Sequence, residues 1–348
     1  MAVNGSPELL IVMARSATAA QADHVVERLQ EAGADARLTR GRESTMIGAI
    51  GERELLATLP LEAYPGVEQV VPIVKPYRLV SREFAPEGTV IEVDGHRIGH
   101  EFFGLIAGPC TVETREQTLE TARVVKAAGV TMLRGGAFKP RTSPYTFQGL
   151  GAEALTILKE AREETGLPVV TELMDPRHVE EVLEVTDVIQ IGARNMQNFL
   201  LLAEVGRANK PVLLKRGPSA SVEELLMAAE YVAKEGNEEI ILCERGIKTF
   251  ERTTRYTLDL GSVAVLKEET HLPVIVDPSH APGRRSLVEP LSLAAAAAGA
   301  DGIIVEVHPQ PEEAICDGPQ AVPADDFAAY AEQVQRVAAV VGNELSAL

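Results

Sequence analysis

An α/β protein is predicted: eight strand–helix units closed into a barrel, behind a small β-α-β-β-α-β domain. From Gly104 onward, short apolar segments alternate with amphipathic helical patterns eight times in about 240 residues, the length of one (β/α)8 TIM barrel. The first 75 residues carry a different order, two helices among four strands, which is the ferredoxin-like arrangement. No Gly-rich dinucleotide turn opens any helix, so closure is favoured over a doubly wound open sheet, the alternative for such an alternation. Apolar residues make up 45% of the 348 and charged residues 24%, which provides a large core and excludes a disordered or collagen-like chain.

Glu8–Arg15 begins the first domain as a short apolar strand. Ala17–Gly33 places Ala22, Val25, Val26 and Leu29 at helical spacing and ends on a glycine suited to a C-terminal cap. Asp35–Arg40 and Thr45–Gly51 read as strands joined through Gly41–Ser44. Arg53–Tyr64 is a second, shorter helix with Pro60 near a kink, and Val67–Val74 is the last strand. Residues 76–103 are a linker and a hairpin, in which Asp94-Gly95 turns the chain between Thr89–Val93 and His96–Ile98. The barrel is residues 104–348. Its strands are Gly104–Gly108, Met132–Gly135, Val169–Leu173, Val188–Ile191, Val212–Lys215, Ile240–Cys243, Val274–Val276 and Ile303–Val307. The helices that follow them are Arg115–Ala128, Ala152–Thr165, Arg177–Val185, Met196–Asn209, Val222–Glu235, Asp259–Glu269, Ser286–Ala298 and Asp325–Asn343.

With 33 basic and 51 acidic residues, the net charge is −18. The far field of such a chain repels nucleic acid and anionic membranes, so neither is an expected partner. An anionic ligand must instead be captured by Arg and Lys gathered in a pocket. Met1–Glu8 lacks the basic and apolar regions of a signal peptide, and the alanine-rich run near Leu291–Ala300 is too short to span a bilayer. Cys110, Cys243 and Cys316 are odd in number and widely spaced, which suits a reducing compartment. The expected location is cytoplasmic.

A (β/α)8 barrel builds its active site at the C-terminal ends of its strands. Turn residues and helix caps are the ordinary occupants there. Here the ends are rich in chemistry. Cys110 and Glu113 follow the first strand, and the second ends in Arg134, with Lys139 and Arg141 beyond it. Glu172 lies on the third, Arg194 follows the fourth, and Lys215-Arg216 ends the fifth. The sixth gives Cys243-Glu244-Arg245, the seventh Asp277 and His280, and the eighth Glu306 and His308 with Asp317 in its loop. Convergent Arg and Lys recognise phosphate and carboxylate oxygens, so the pocket reads as one for a multiply anionic substrate. Cys110, His280, Glu306 and Asp317 fall at the first, seventh and eighth strands, and the eighth and first are neighbours in a closed barrel. A thiolate, an imidazole and two carboxylates can meet there at one divalent ion, with no selection among Mn2+, Fe2+, Co2+, Zn2+ and Cu2+. The plainer alternative is a thiol packed as a small hydrophobe and a histidine capping a helix.

These residues sit in segments that closely resemble the type I-beta 3-deoxy-D-arabino-heptulosonate 7-phosphate (DAHP) synthases. The segments are GPCTVE (108–113), RGGAFKPRTSPYTFQGLG (134–151), IGARNMQNF (191–199), LLKRG (213–217), ILCERG (241–246), VDPSHAPGRR (276–285) and VEVHPQPEEAICDGPQ (305–320). The resemblance runs from about Pro76 to the C-terminus. The segment before it, with KPYRLVSREF (75–84), resembles the regulatory domain that some members carry.

The resemblance implies a metal-dependent condensation of phosphoenolpyruvate with D-erythrose 4-phosphate and water. The products are 3-deoxy-D-arabino-heptulosonate 7-phosphate and phosphate, in the first step of the shikimate pathway to the aromatic amino acids. It implies Cys110, His280, Glu306 and Asp317 as metal ligands. It implies Arg134, Lys139, Arg194, Lys215 and Arg245 as phosphoenolpyruvate contacts, and Arg141 and Thr142 as the erythrose 4-phosphate pair. Lys139, His280 and Cys110 are the implied catalytic residues. A homotetramer is implied, with tyrosine or phenylalanine as effector of the ferredoxin-like domain; recruitment of a chorismate mutase is the competing role for that domain.

The nearest rival activity is 3-deoxy-D-manno-octulosonate 8-phosphate synthase, from which Lys139-Pro-Arg-Thr-Ser143 differs in the loop that contacts the aldose. A Schiff-base aldolase with Lys215 as nucleophile is the rival mechanism. Glu172, Glu244 and Asp277 read as partners of the basic cluster, Cys243 as core or as a neighbour supporting the site residues, and His308 as either a local hydrogen-bond partner or a catalytic group. His24, His96, His100, His178 and His271 read as structural.

Overall fold

Residues 9–40, 45–51, 53–72, 75–141 and 143–345 are described by a computed structural model, and the chain divides into two units, Met1–Pro76 and Tyr77–Leu348. In the first unit, β1 (Leu9–Met13), α1 (Ala19–Glu31), β2 (Asp35–Arg40), β3 (Thr45–Ile50), α2 (Arg53–Leu56) and β4 (Val67–Pro72) follow the predicted order. Their antiparallel sheet runs β2-β3-β1-β4, the ferredoxin-like topology. Ala22, Val25 and Leu29 line one face of α1 and pack with Ile11, Met13, Ile47 and Ala49 of the sheet. A capping box starts α1, where Gln21 Oε1 accepts from Thr18 N at 2.8 Å. The second helix is shorter than its pattern predicts. It stops at Leu56, and a 3-10 turn at Leu61–Ala63 follows Pro60, which cannot continue an α-helix. Gly41–Ser44, Ile73 and Val74 lie outside the described residues.

The second unit opens with the predicted hairpin of β5 (Ile91–Val93) and β6 (His96–Ile98). Asp94 and Gly95 take φ of 47° and 83°, the left-handed pair that a two-residue hairpin turn of type I′ requires. The barrel strands are β7 (Phe102–Gly108), β8 (Met132–Arg134), β9 (Val169–Glu172), β10 (Val188–Ile191), β11 (Val212–Lys215), β12 (Ile240–Glu244), β13 (Val274–Val276) and β14 (Gly302–His308). They pair in parallel in chain order, and β14 closes on β7 from Gly302 opposite Gly104 to Glu306 opposite Gly108. The surrounding helices are α3 (Arg115–Ala127), α4 (Ala152–Thr165), α5 (Val179–Leu183), α6 (Phe199–Arg207), α7 (Val222–Lys234), α8 (Leu260–Glu269), α9 (Arg285–Ala297) and α10 (Ala324–Val340). Two short strands that the sequence pattern does not reveal, β15 (Val322–Pro323) and β16 (Glu344–Leu345), pair with β14 and β7.

Strand pleating sorts the barrel into layers. Leu105, Leu133, Val169, Ile189, Leu214, Leu242, Val274 and Ile303 join the outer core beneath the helices. Their neighbours Ile106, Met132, Val170, Val188, Leu213, Ile241, Ile275 and Ile304 fill the interior, together with Ile91, Val93 and Ile98 of the hairpin. The hairpin therefore plugs the N-terminal mouth. Ile98 fits so closely over the start of β7 that a side-chain carbon at Gly104 would lie 2.6 Å from it. Among the described residues, no helix is long and apolar enough to cross a membrane.

Candidate active site

Two residues beyond each position of the inner apolar layer, the pleat returns to the interior, one step nearer the C-terminal end. Those residues are Gly108, Arg134, Glu172, Gln190, Lys215, Cys243, Asp277 and Glu306. An apolar plug is thus followed directly by a layer rich in charge, and Arg134, Glu172, Gln190 and Lys215 of this layer line a cavity of about 590 Å3. Gly108 lets β7 approach β8 closely, since a Cβ there would lie 2.0 Å from the Arg134 carbonyl oxygen.

One ligand atom each from Cys110, His280, Glu306 and Asp317 lie within 4.8 Å of one another. Cys110 Sγ is 3.3 Å from Asp317 Oδ2, and His280 Nε2 is 3.0 Å from Glu306 Oε1. Asp277 Oδ2 sits 2.7 Å from His280 Nδ1, which turns Nε2 toward the other three groups. Glu306 is completely buried, and Arg134 Nη1 donates to its Oε1 at 3.1 Å. A sulfur, an imidazole nitrogen and two carboxylates at this separation fit a divalent transition metal by donor type and by distance.

The buried groups of the cluster shift one another strongly. Burial pushes the Cys110 thiol up, and neighbouring Cys316 and Glu306 add to it against Lys139. Burial opposes charge on Glu306, yet His280, Arg134 and Lys139 hold its carboxyl well below the usual range. For Asp317, Lys139 and His280 outweigh burial and bring it to about 2. His280 is raised to about 10, because Asp277 and Glu306 outweigh its burial. Lys139 Nζ lies 2.6 Å from Cys110 Sγ and 2.8 Å from Asp317 Oδ2, and these neighbours, with Glu306, raise it despite burial.

Of the residues expected to contact substrate, Arg134, Lys139, Arg141, Arg194, Lys215 and Arg245 all line the cavity; Thr142 lies outside the described residues. Arg134, Lys215 and Arg245 are buried. Arg134 Nε is buried with no hydrogen-bond acceptor among the described residues. Arg245 lies 4.6 Å over the Tyr256 ring rather than on a carboxylate. Lys215 Nζ donates to Asp277 Oδ2 at 2.5 Å, an ion pair rather than a free amine. Arg216 turns away from the cavity to Glu244 at 2.9 Å and Asp259 at 3.0 Å. Glu172 accepts from Gln190 Nε2 at 3.0 Å. His308 is a local partner, its Nε2 3.4 Å from Glu113 Oε2 and its Nδ1 accepting from Gln310 N at 3.0 Å.

Reading strand ends alone misses Gln190, Lys248, Arg255 and Tyr256, which also line the cavity. Gln190 is recoverable from the period-2 register. The other three sit deep in the loop after β12, whose path depends on tertiary contacts.

Comparison with known proteins agrees with this geometry. Residues 88–342 match the DAHP synthetase I family, and residues 9–75 match the DAHP synthase ferredoxin-like domain. A phospho-2-dehydro-3-deoxyheptonate aldolase of Thermotoga maritima is 49% identical over 338 residues, covering 97% of this chain and 100% of that one. The crystal structure of DAHP synthase from Thermotoga maritima superposes with a TM-score of 0.93 at 48% identity, covering 97% of this chain and 99% of that one. A 2-dehydro-3-deoxyphosphooctonate aldolase of Syntrophotalea carbinolica is 36% identical over 264 residues, covering 70% of this chain and 94% of its own. With barrel and first domain both matched, the chain belongs to the DAHP synthetase I family, in the branch that carries a ferredoxin-like domain ahead of the barrel.

Proposed function

We propose that the enzyme condenses phosphoenolpyruvate with D-erythrose 4-phosphate and water, releasing 3-deoxy-D-arabino-heptulosonate 7-phosphate and phosphate. The observation that carries this reading is the juxtaposition of a cavity lined by eight Lys and Arg side chains with the four-residue donor set, three of whose members also line it. Arg134, Arg194, Lys215 and Arg245 hold the phosphate and carboxylate of phosphoenolpyruvate, and Arg141 with Thr142 holds the aldose phosphate. Cys110, His280, Glu306 and Asp317 would hold a divalent ion, which would supply Lewis acidity for the aldehyde oxygen. C3 of phosphoenolpyruvate attacks the aldehyde carbon, water adds at C2, and phosphate leaves by C–O cleavage. Lys139, kept charged by Cys110, Glu306 and Asp317, stands ready to neutralise the oxygen that becomes negative. The buried arginines stabilise the anionic species without having to reorganise.

The Lys215–Asp277 pair argues against a Schiff base, and the Lys139–Ser143 loop against a five-carbon aldose phosphate. The ferredoxin-like domain supports control by tyrosine or phenylalanine, with chorismate mutase recruitment as the competing role. A cytoplasmic homotetramer completes the reading. Product should form from erythrose 4-phosphate and not from arabinose 5-phosphate, disappear with chelator and return with a divalent transition metal. Cys110→Ala should be folded and inactive. Full turnover in excess chelator, with no metal by elemental analysis, refutes the metal requirement.

A further inference from the structure

We propose that Arg255 is a positioning residue, which aims the two carboxylates of the donor set from the loop after β12. The proposal rests on reading Cys110, His280, Glu306 and Asp317 as metal ligands. Arg255 Nη1 lies 3.3 Å from Asp317 Oδ1 and 3.4 Å from Gln320 Oε1. Gln320 is buried and passes the contact on, its Nε2 donating to Glu306 Oε2 at 2.6 Å. An amide whose oxygen faces a guanidinium must present its nitrogen to the other side, so Arg255 also fixes which way Gln320 points.

The choice of oxygens gives the arrangement its sense. Arg255 and Gln320 occupy Asp317 Oδ1 and Glu306 Oε2. The oxygens they leave are Asp317 Oδ2, 3.3 Å from Cys110 Sγ, and Glu306 Oε1, 3.0 Å from His280 Nε2. Each clamped carboxylate therefore turns its other oxygen toward the donor cluster. Asp317 has particular need of such a hold, because it lies on a loop rather than a strand, at a φ of 57°. Arg255 is itself anchored beside a third ligand. Its N–H donates to Pro282 O at 3.1 Å, and that of Tyr256 donates to Ala281 O at 2.7 Å, immediately after His280. One residue thus ties together the loops after β12, β13 and β14.

A guanidinium beside a dication also repels it, so the sign of the effect separates the two roles. Outer partners that orient metal ligands typically contribute about 10–100-fold in affinity. Mn2+ binding to the metal-stripped full-length chain, followed by the electron paramagnetic resonance of free Mn2+, reads this without turnover. The wild type should bind one Mn2+ per chain, and Cys110→Ala should lose that site. Arg255→Ala should bind at least about tenfold more weakly, with an unchanged circular dichroism spectrum. Arg255→Lys keeps the charge but not the fork, and should fall between. Gln320→Leu should weaken binding, and the double variant should lose less than the sum of the two losses, as expected for one connected relay. Unchanged or tighter binding in folded Arg255→Ala overturns the proposal, as do strictly additive losses. Absence of any Mn2+ site in the wild type overturns the metal reading itself.

Discussion

Glu113 serves the site without lining the cavity. Its Oε1 accepts from the amides of Ile315 and Cys316 at 3.0 and 3.4 Å, and its Oε2 faces His308 Nε2 at 3.4 Å. The loop that delivers Asp317 is therefore tethered to a carboxylate on the far side of the β7–β14 seam. Burial works against ionisation of Glu113, but His308 and the two amides outweigh it and hold its pKa below the ordinary 4.5. A depressed folded value means that the tether is at full strength above the unfolded pKa and is lost as pH falls through the folded one. Protection of the Ile315 and Cys316 amides against hydrogen exchange should thus persist down to the ordinary carboxylate range and decline only as pH falls below it. In Glu113→Gln it should already be low at neutral pH. Protection factors that stay level below that range in the wild type would show that another group holds the loop. The sequence shows Glu113 as part of a motif, but its partners lie about 200 positions away, so only the closed barrel reveals what it does.

The loop after β12, residues 245–259, depends on a buried ion cluster at its two ends. Glu244 precedes it and Asp259 ends it, and Arg216 from the end of β11 donates to both, at 2.9 and 3.0 Å. Glu244 Oε1 also accepts from Gly246 N at 2.7 Å. Burial raises Glu244 against the pull of Arg216 and of the Gly246 and Asp259 amides, and Arg216 is its one ion-pair partner among the described residues. Arg216→Met should destabilise the fold by about 3–5 kcal/mol, the usual result of leaving a buried charge unpaired. It should also lower activity, because the same loop carries Arg245 and Arg255 into the cavity. Urea unfolding measures the first effect; a loss below about 1 kcal/mol would mean that the loop holds its own shape.

This loop also marks where the sequence stops being legible. The eight strands can be read because each is a short apolar run set between amphipathic helical patterns, and their limits in the structure fall within two residues of the pattern. The helices fared less evenly. The pattern over Arg177–Val185 proves to be a 3-10 turn at Pro176–His178 running into α5, and α6 begins only at Phe199, capped by Asn198. An apolar spacing does not record where capping side chains interrupt it. The loop has no periodicity at all, and its shape follows from an arginine 28 positions before Glu244. Strand-end positions such as Arg134 and Lys215 were therefore accessible in advance, and Arg255 was not.

The division between the two units gives the test of control. Every proposed ligand and substrate contact lies on the barrel side of Pro76. The segment just beyond the division is already part of the barrel. Tyr77 OH donates to Glu269 Oε2 at 2.6 Å, Leu79 and Val80 N–H groups donate to the Glu230 carboxylate at 3.1 and 3.2 Å, and Arg82 Nη2 donates to Lys267 O at 2.8 Å. A cut after Arg82 strips these partners from α7 and α8 and removes both amides that donate to the Glu230 carboxylate. A chain beginning at Lys75 keeps all of them, together with the hairpin that plugs the barrel. That shortened protein should fold, bind Mn2+ and condense the two substrates. If the ferredoxin-like domain is the sensor, it should also ignore tyrosine and phenylalanine at concentrations that inhibit the full chain. An inhibitor acts only by preferring one arrangement of the protein over another, and linkage makes the preference mutual. The full chain should therefore bind its substrates more weakly with the amino acid present, and the amino acid more weakly with substrates present. The shortened protein should show neither effect. Equal inhibition of both chains moves the effector site onto the barrel, and inhibition of neither leaves the first domain as the surface on which a partner enzyme docks.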